Sequence, residues 1–448
     1  MPKALVFDGR ARSLLLTGGG AFLFLAACFG GGPAPVSPQD IPELEARLQR
    51  EPGNAALLAR YGEALFAANN CDSARAVSGR AAAARPDDAV PVLIIGQCQE
   101  RADQHDQAIA MYGRYLTAYP NAEGTAAVRG REMLARRDKA TADARAAIIR
   151  ERQLAPEPGD PRTIAILPLQ VVGDSAYQPL SRGLAQMLIS DLSLIQSFRM
   201  VERLQIGALL DELSLGQGGR VDPSTAARVG RLVQAGRLVS GVASVSEDGP
   251  VRLEASVVQG TGEVANADAV TGQLRDLLRL EKDLVVSLAG RLGYTLSEAE
   301  RRLILENGTQ NLQAFLAYSR GLAAEDVGDF SRAALHFSAA VQADPGFQAA
   351  RVQQQAAAAA PAVQQAQSGQ MAVVVQQTGQ QQQQQTTEAP NALGSGVGDL
   401  AGTTSEQTAP TAPPTGSNTN AANPPTTITN SGTTDRVTGT VTVRFRLP

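Results

Sequence analysis

Tyr61-Gly-Glu-Ala-Leu-Phe66, Ile95-Gly-Gln-Cys-Gln-Glu100 and Arg129-Gly-Arg-Glu-Met-Leu134 place a glycine at 62, 96 and 130, at one constant interval. Ala74, Ala108 and Ala142 keep that interval, and so do Pro52, Pro86 and Pro120. One period shared by three residue types marks a repeated helical hairpin. A small residue sits where two helices cross closely, a second one follows in the next helix, and a proline ends the unit. The spacing predicts full units at 55–88 and 89–122 after a leading half-unit at 40–54. No turn signal divides 123–154 around Arg136-Arg-Asp-Lys-Ala140, so one long capping helix is expected there, closing a helical region at 40–154.

The pattern resembles the tetratricopeptide repeat, which implies an α-solenoid with a concave groove for an extended or helical partner peptide. The groove positions of that family fall on Glu63, Phe66, Gln97, Arg101 and Arg131. The competing reading makes the same side chains a solvated helix face. Cys71 and Cys98 take positions that face one another in such repeats, so they are a candidate disulfide or two buried free thiols. A further unit of this type, within 308–358, carries Gly321, Ala333, Phe337, Ala340 and Pro345 around a Gly328-Asp-Phe330 turn. One unit cannot bury its own face, so this helix pair needs the middle region, the helix after 348, or another chain.

After a linker at 155–162 the period changes. Thr163-Ile-Ala-Ile-Leu-Pro-Leu169 is an apolar β-type run, and Leu180, Leu184, Met187, Leu188, Leu192 and Ile195 recur at helical spacing. Further elements read as strand 199–203, helices 204–214 and 224–234, strands 238–245, 251–259 and 263–271, and a helix at 274–292. Asp222-Pro223 supplies an N-cap and a first helical residue for the third helix. The order β-α-β-α-α-β-β-β-α predicts a two- or three-layer α/β sandwich.

Ile164-Ala-Ile-Leu-Pro-Leu169, Phe198-Arg-Met-Val-Glu-Arg-Leu204, Val221–Leu232 and Leu238-Val-Ser-Gly-Val242 resemble the CsgG family, related to the N-terminal module of TolB. The resemblance spans a CsgG-like domain at 163–300 and implies a role in curli-type assembly or transport. The curli secretion channel of that family extends two long β-hairpins. Here the turns Ser246–Pro250 and Gly260–Gly262 are short, which favours an accessory role over a membrane barrel. Asp191, Glu202, Asp211, Glu212 and Asp222 are the tempting acids, but Asp222 is explained as a cap and Asp191 reads as the polar side of its helix. Gly216-Gln-Gly-Gly219 lacks the Lys-Ser/Thr of a phosphate loop. Glu202-Arg203 reads as a polar strand end, paired structurally or at a subunit interface.

At the start, Lys3, Arg10 and Arg12 precede an apolar stretch, Ser13–Ala27, too short to span a bilayer; residues 1–27 read as a signal peptide. Leu25-Ala-Ala-Cys28 resembles the bacterial lipobox, which implies lipidation of Cys28 and a membrane anchor. Residues 28–39 then form a tether, and Phe29 in place of Asp points to the outer membrane. At the other end, 359–435 is rich in Gln, Thr, Pro and Asn and reads as a disordered low-complexity tail, while Val441, Val443, Phe445 and Leu447 alternate as a terminal β-strand within 436–448.

Composition sets the exclusions. With 40 Lys and Arg against 44 Asp and Glu in 448 residues, no bulk positive charge exists for nucleic acid. Two histidines, three cysteines and no tryptophan leave little for a metal site or general base, so no cofactor and no catalytic residue are expected. The fold class expected is α+α/β multidomain: a tetratricopeptide α-solenoid, a CsgG-like α/β sandwich, a C-terminal helix pair and a disordered tail. The function expected is a non-enzymatic envelope lipoprotein, lipid-anchored on the periplasmic side of the outer membrane. It would act as an assembly scaffold through its groove and CsgG-like domain, with homo-oligomerisation among its modes. The alternative is a lipoprotein regulator of a periplasmic cell-wall enzyme.

Overall fold

A computed structural model describes residues 33–151, 159–213, 223–246, 249–260, 262–366 and 368–388. The signal peptide at 1–27, Cys28, the first half of the 155–162 linker, the Gly216–Gly219 and Asp222 motifs, and the tail from 389 with its terminal strand lie outside the described residues.

The first six helices are α1 (Ile41–Arg50), α2 (Ala55–Ala67), α3 (Cys71–Ala84), α4 (Ala89–Arg101), α5 (His105–Ala118) and α6 (Thr125–Arg150). Asn54, Asn70 and Asp88 each cap the next helix by accepting a backbone N–H bond of 3.0–3.2 Å, because short polar side chains satisfy donors that a helix start leaves orphaned. The hairpin turns repeat a device as well: Asn69 and Asp103, at equivalent positions of successive units, adopt left-handed φ values of 59° and 57°. The periodic glycines are where helices cross. A Cβ on Gly62 would lie 2.4 Å from Ser78 Oγ of α3, and one on Gly96 2.3 Å from the Tyr112 ring of α5.

The α/β region follows. Its elements are β1 (Asp160–Ile166), β2 (Gln170–Gly173), α7 (Leu180–Leu192), β3 (Arg199–Met200), α8 (Arg203–Glu212), α9 (Pro223–Leu232), β4 (Ala235–Val245), β5 (Val251–Gln259), β6 (Val264–Asn266), β7 (Val270–Gly272), α10 (Leu277–Arg291) and α11 (Glu298–Glu306). The sheet runs β3-β1-β4-β5-β6, with β2 also on β4 and β7 also on β5. Strands β3, β1, β2 and β4 pair in parallel, and β4 to β7 pair antiparallel. The first row breaks at Leu167-Pro-Leu169, as expected where Pro168 offers no N–H to a ladder. Alternation then sorts the faces: Ile164 and Ile166 pack with α7 and α10, while Ala165 and Leu167 pack with α8, α9 and the end of α6. Helices cover both faces, so the sandwich has three layers.

The last helices are α12 (Leu312–Asp326), α13 (Phe330–Ala343), α14 (Gln348–Gln365) and α15 (Met371–Glu388). They rejoin the first six in one apolar core that runs from Leu58–Leu134 to Ala314–Val375. The expected capping helix, α6, is a single 26-residue helix, and the hairpin partner it lacks comes from far along the chain. A Cβ on Gly130 would lie 2.9 Å from Ala360 N and 3.0 Å from Ala359 C, so α14 crosses α6 where α3 and α5 cross α2 and α4. The α/β region is thus an insertion within one helical array.

The disordered tail expected from 359 needs correction as far as 388, because α14 continues to Gln365 and α15 follows. Two physical terms offset the low-hydrophobicity composition. Ala356, Ala357, Ala359 and Ala360 favour helix and allow close approach to Gly130, and Met371, Val374, Val375 and Thr378 form a buried stripe at i, i+3, i+4 and i+7.

Candidate partner-binding groove and interdomain junction

Helices α2, α4 and α6 line one side of the array and bring the five groove positions together. Glu63 and Phe66 come from α2, Gln97 and Arg101 from α4, and Arg131 from α6. The Arg101 guanidinium lies 3.8 Å over the Phe66 ring. Arg131 does not face an open surface: its Nε donates to Glu100 Oε1 at 3.0 Å, and Glu100 also accepts from Tyr112 Oη at 2.7 Å. Behind this wall Cys71 and Cys98 are joined by a disulfide, their Cα atoms 5.4 Å apart, which ties α3 to α4.

The groove already holds a helix, α15 of the same chain. Glu63, 1% exposed, accepts the backbone N–H groups of Met371 and Ala372, the latter at 3.3 Å. Burial raises the Glu63 carboxyl above its usual range, opposed by those two hydrogen bonds. Gln97 Nε2 donates to Met371 Sδ at 3.3 Å, and Arg101 donates to Ser368 Oγ at 3.3 Å. Gly369 makes the turn into α15 at φ +94°, and its carbonyl accepts the Val36 N–H at 2.9 Å. An added Cβ there would sit 2.0 Å from Val36 O, so only glycine fits. The solvated-face reading therefore fails for Glu63 and Phe66, which are buried, while Arg101 remains exposed. The stripe at 371, 374, 375 and 378 is the signal that composition alone overlooks.

A second cluster joins the array to the α/β region. Arg203, the first residue of α8 and 7% exposed, pairs with Asp326 and lies 3.8 Å from Glu325 Oε1, both on α12. Arg182 of α7 donates to the other Asp326 oxygen at 2.6 Å, and Arg137 of α6 donates to the Glu325 carbonyl at 2.7 Å. Burial pushes the Glu325 carboxyl up to about 7, against the pull of Arg203. Among the described residues its Oε2 finds no hydrogen-bond partner. Outside this core, Arg136 pairs with Glu202 at 2.7 Å, Arg145 with Glu212 at 2.7 Å, and Glu151 with Arg228 at 2.6 Å. Glu202-Arg203 thus sits at an intrachain junction: Glu202 faces α6, and Arg203 enters the α12 pair.

Asp191 corrects the sequence expectation. It is fully buried, not on a polar face, and its carboxylate accepts from Lys282 Nζ at 2.6 Å and Asn307 Nδ2 at 2.7 Å. Glu281 lies beside them, held well above the usual carboxylate range by burial and by Asp191. These groups pin α7, α10 and the end of α11 together. Among the described residues no three His, Cys, Asp or Glu side chains form a group able to hold a metal ion, and no helix is long and apolar enough to cross a membrane.

Residues 147–247 match the family model described as curli production assembly/transport component CsgG. The matched stretch opens in the last turn of α6, takes in β1 to β4 with α7 to α9, and stops in the β4–β5 turn. A CsgG-family domain, of a family of assembly and transport components, therefore occupies these residues, and it contains Arg182, Asp191, Arg203 and Arg228. No curated protein matches the chain.

Proposed function

We propose that this chain is a non-enzymatic envelope lipoprotein that acts as an assembly scaffold. Lipid on Cys28 holds it to the periplasmic side of the outer membrane. The helical array is of tetratricopeptide type and recruits a protein partner through its groove, and the CsgG-family domain docks into an assembly or secretion machine, alone or as a homo-oligomer. The observation that carries this reading is the CsgG match at 147–247. The junction supports it, since a buried Arg–carboxylate network ties the helical array to the CsgG domain. The connection between β4 and β5 spans only 246–250 and that between β5 and β6 only 260–263, which suits an accessory component rather than a barrel-forming channel.

A crosslinked pull-down from membranes tests the role. Secretion or fibre components in the eluate support it, and a cell-wall synthase as the main product would replace scaffold with enzyme regulator. Radiolabelled palmitate still entering a Cys28→Ala chain would remove the anchor. Mass photometry of the detergent-solubilised chain reads the assembly state, with a strict monomer at micromolar concentration counting against an oligomeric ring.

A further inference from the structure

We infer that α15 is a built-in, exchangeable occupant of the groove, standing in for a partner helix that enters N-terminus first. The inference rests on the reading of the groove as the recruitment surface and adds what the groove selects and what guards it.

The recognition element is Glu63. A buried carboxylate needs donors, and here they are the first two amides of α15, at the positive end of its dipole. Another helix that covered Glu63 without supplying donors would leave the carboxylate buried and unpaired, so any helix replacing α15 has to present free N-terminal amides to the same oxygen. The same logic excludes a helix with an acidic residue in its first turn, which would set a second carboxylate against Glu63. Beyond the cap, Met371, Val374, Val375, Thr378 and Gly379 are buried and Ala372, Val373 and Gln376 are half-buried, while Gln380, Gln381 and Gln383 are exposed. The partner is therefore a helix with apolar side chains at positions one, four and five, a small one at eight, and no acid in its first turn.

Exchange is built into the attachment. Residues 352–387 carry no charged side chain, so the only charge on α15 is its last residue, Glu388. The link to α14 is the short segment 366–370 with its Gly369 turn, and α14 is held separately by its crossing with α6 at Gly130. Release of α15 uncovers the apolar faces that Met371, Val374 and Val375 share with the main core, so a replacement helix has to cover them in turn.

The test uses the full chain and a fluorescein-labelled synthetic peptide of residues 368–388 as probe. A chain whose own helix is expelled by Val374→Asp and Val375→Asp should bind the peptide at least tenfold tighter than the unaltered chain. The peptide carrying Ala372→Glu should bind the expelled chain at least tenfold more weakly than the unaltered peptide. Equal binding by the two chains, or no saturable binding by the expelled one, overturns the proposal. Hydrogen exchange on the unaltered chain supplies a readout free of folding effects. Excess peptide should strip protection from the chain's own 371–378 amides and spare α14, and unchanged protection there overturns exchange. An expelled chain that binds the peptide yet captures no envelope protein refutes the recruitment reading alone. Partner capture that depends on Arg101 without any peptide exchange refutes the built-in occupant alone.

Discussion

Gly130→Ala and Gly79→Ala are one chemical change on two helices of one array, and the structure gives them opposite signs. Alanine gains about 1 kcal/mol over glycine inside a helix, mainly because the unfolded chain has less freedom to lose. At Gly79 nothing lies within 4 Å of the added methyl, so the whole gain survives. At Gly130 the methyl meets Ala360 N at 2.9 Å and Ala359 C at 3.0 Å, and main-chain atoms cannot rotate aside. Relief requires α14 to move off α6, a form of overpacking that costs about 2.5 kcal/mol. The net expectation is a Gly79→Ala chain about 1 kcal/mol more stable than the parent and a Gly130→Ala chain about 1.5 kcal/mol less stable. Thermal unfolding followed by circular dichroism should then separate the two midpoints by about 5 °C, with Gly130→Ala the lower. Hydrogen exchange should place the loss on α14 as well as α6. A Gly130→Ala chain more stable than the parent, or a loss confined to 125–134 with α14 unaffected, would refute the docking of α14 in the third hairpin slot.

Lys282→Met strands Asp191 and Glu281 without their cation, and removal of one partner from a buried ion pair should lower stability by about 3–5 kcal/mol. Adding Asp191→Asn should restore part of that loss in a denaturant titration, and failure to do so would deny the coupling. Glu325 has a folded-state carboxyl raised to about 7, so its contribution favours the fold at low pH and is lost as pH rises from the unfolded carboxylate value towards 7. A denaturant midpoint that falls between pH 5 and 7 and flattens above is the expected profile, and Glu325→Gln should remove roughly 3 kcal/mol of that slope. Reducing the Cys71–Cys98 bridge, which closes a 27-residue separation, should cost about 3.5 kcal/mol on loop entropy, read as a lower midpoint in dithiothreitol. No change on reduction would mean that the bridge does not constrain the unfolded chain.

What the sequence discloses depends on how local the physics is. The Gly62, Gly96 and Gly130 period is visible because each hairpin forms within a single repeat, and the β5 strand is legible to the residue because its alternation is local. The partner of Gly130 is not visible. Ala359 and Ala360 follow it in the chain only after the whole α/β region, and an alanine run advertises helix without naming what it packs on. Asp191 misleads for a related reason, since its lysine sits on α10 and nothing near position 191 signals a buried charge pair. The Gln-rich composition hides α15 because bulk averages dilute a stripe of four residues. In the groove, Glu63, Phe66, Gln97 and Arg101 lie together, but the identity of their occupant depends on α15, far along the chain from them.

The insertion of the α/β region between α6 and α14 also sets a timetable. Synthesis delivers the first six helices with the α6 face uncovered, and the segment that covers it emerges only after the α/β region, on the order of tens of seconds later at ordinary elongation rates. During that interval the nascent array carries an unfinished apolar edge, while the α/β region follows directly on α6. Closure of the array is therefore a late event that only a chain elongated through α14 can perform. A chain cut short within the α/β region lacks α14 and so leaves the Gly130 face of α6 without the helix that crosses it.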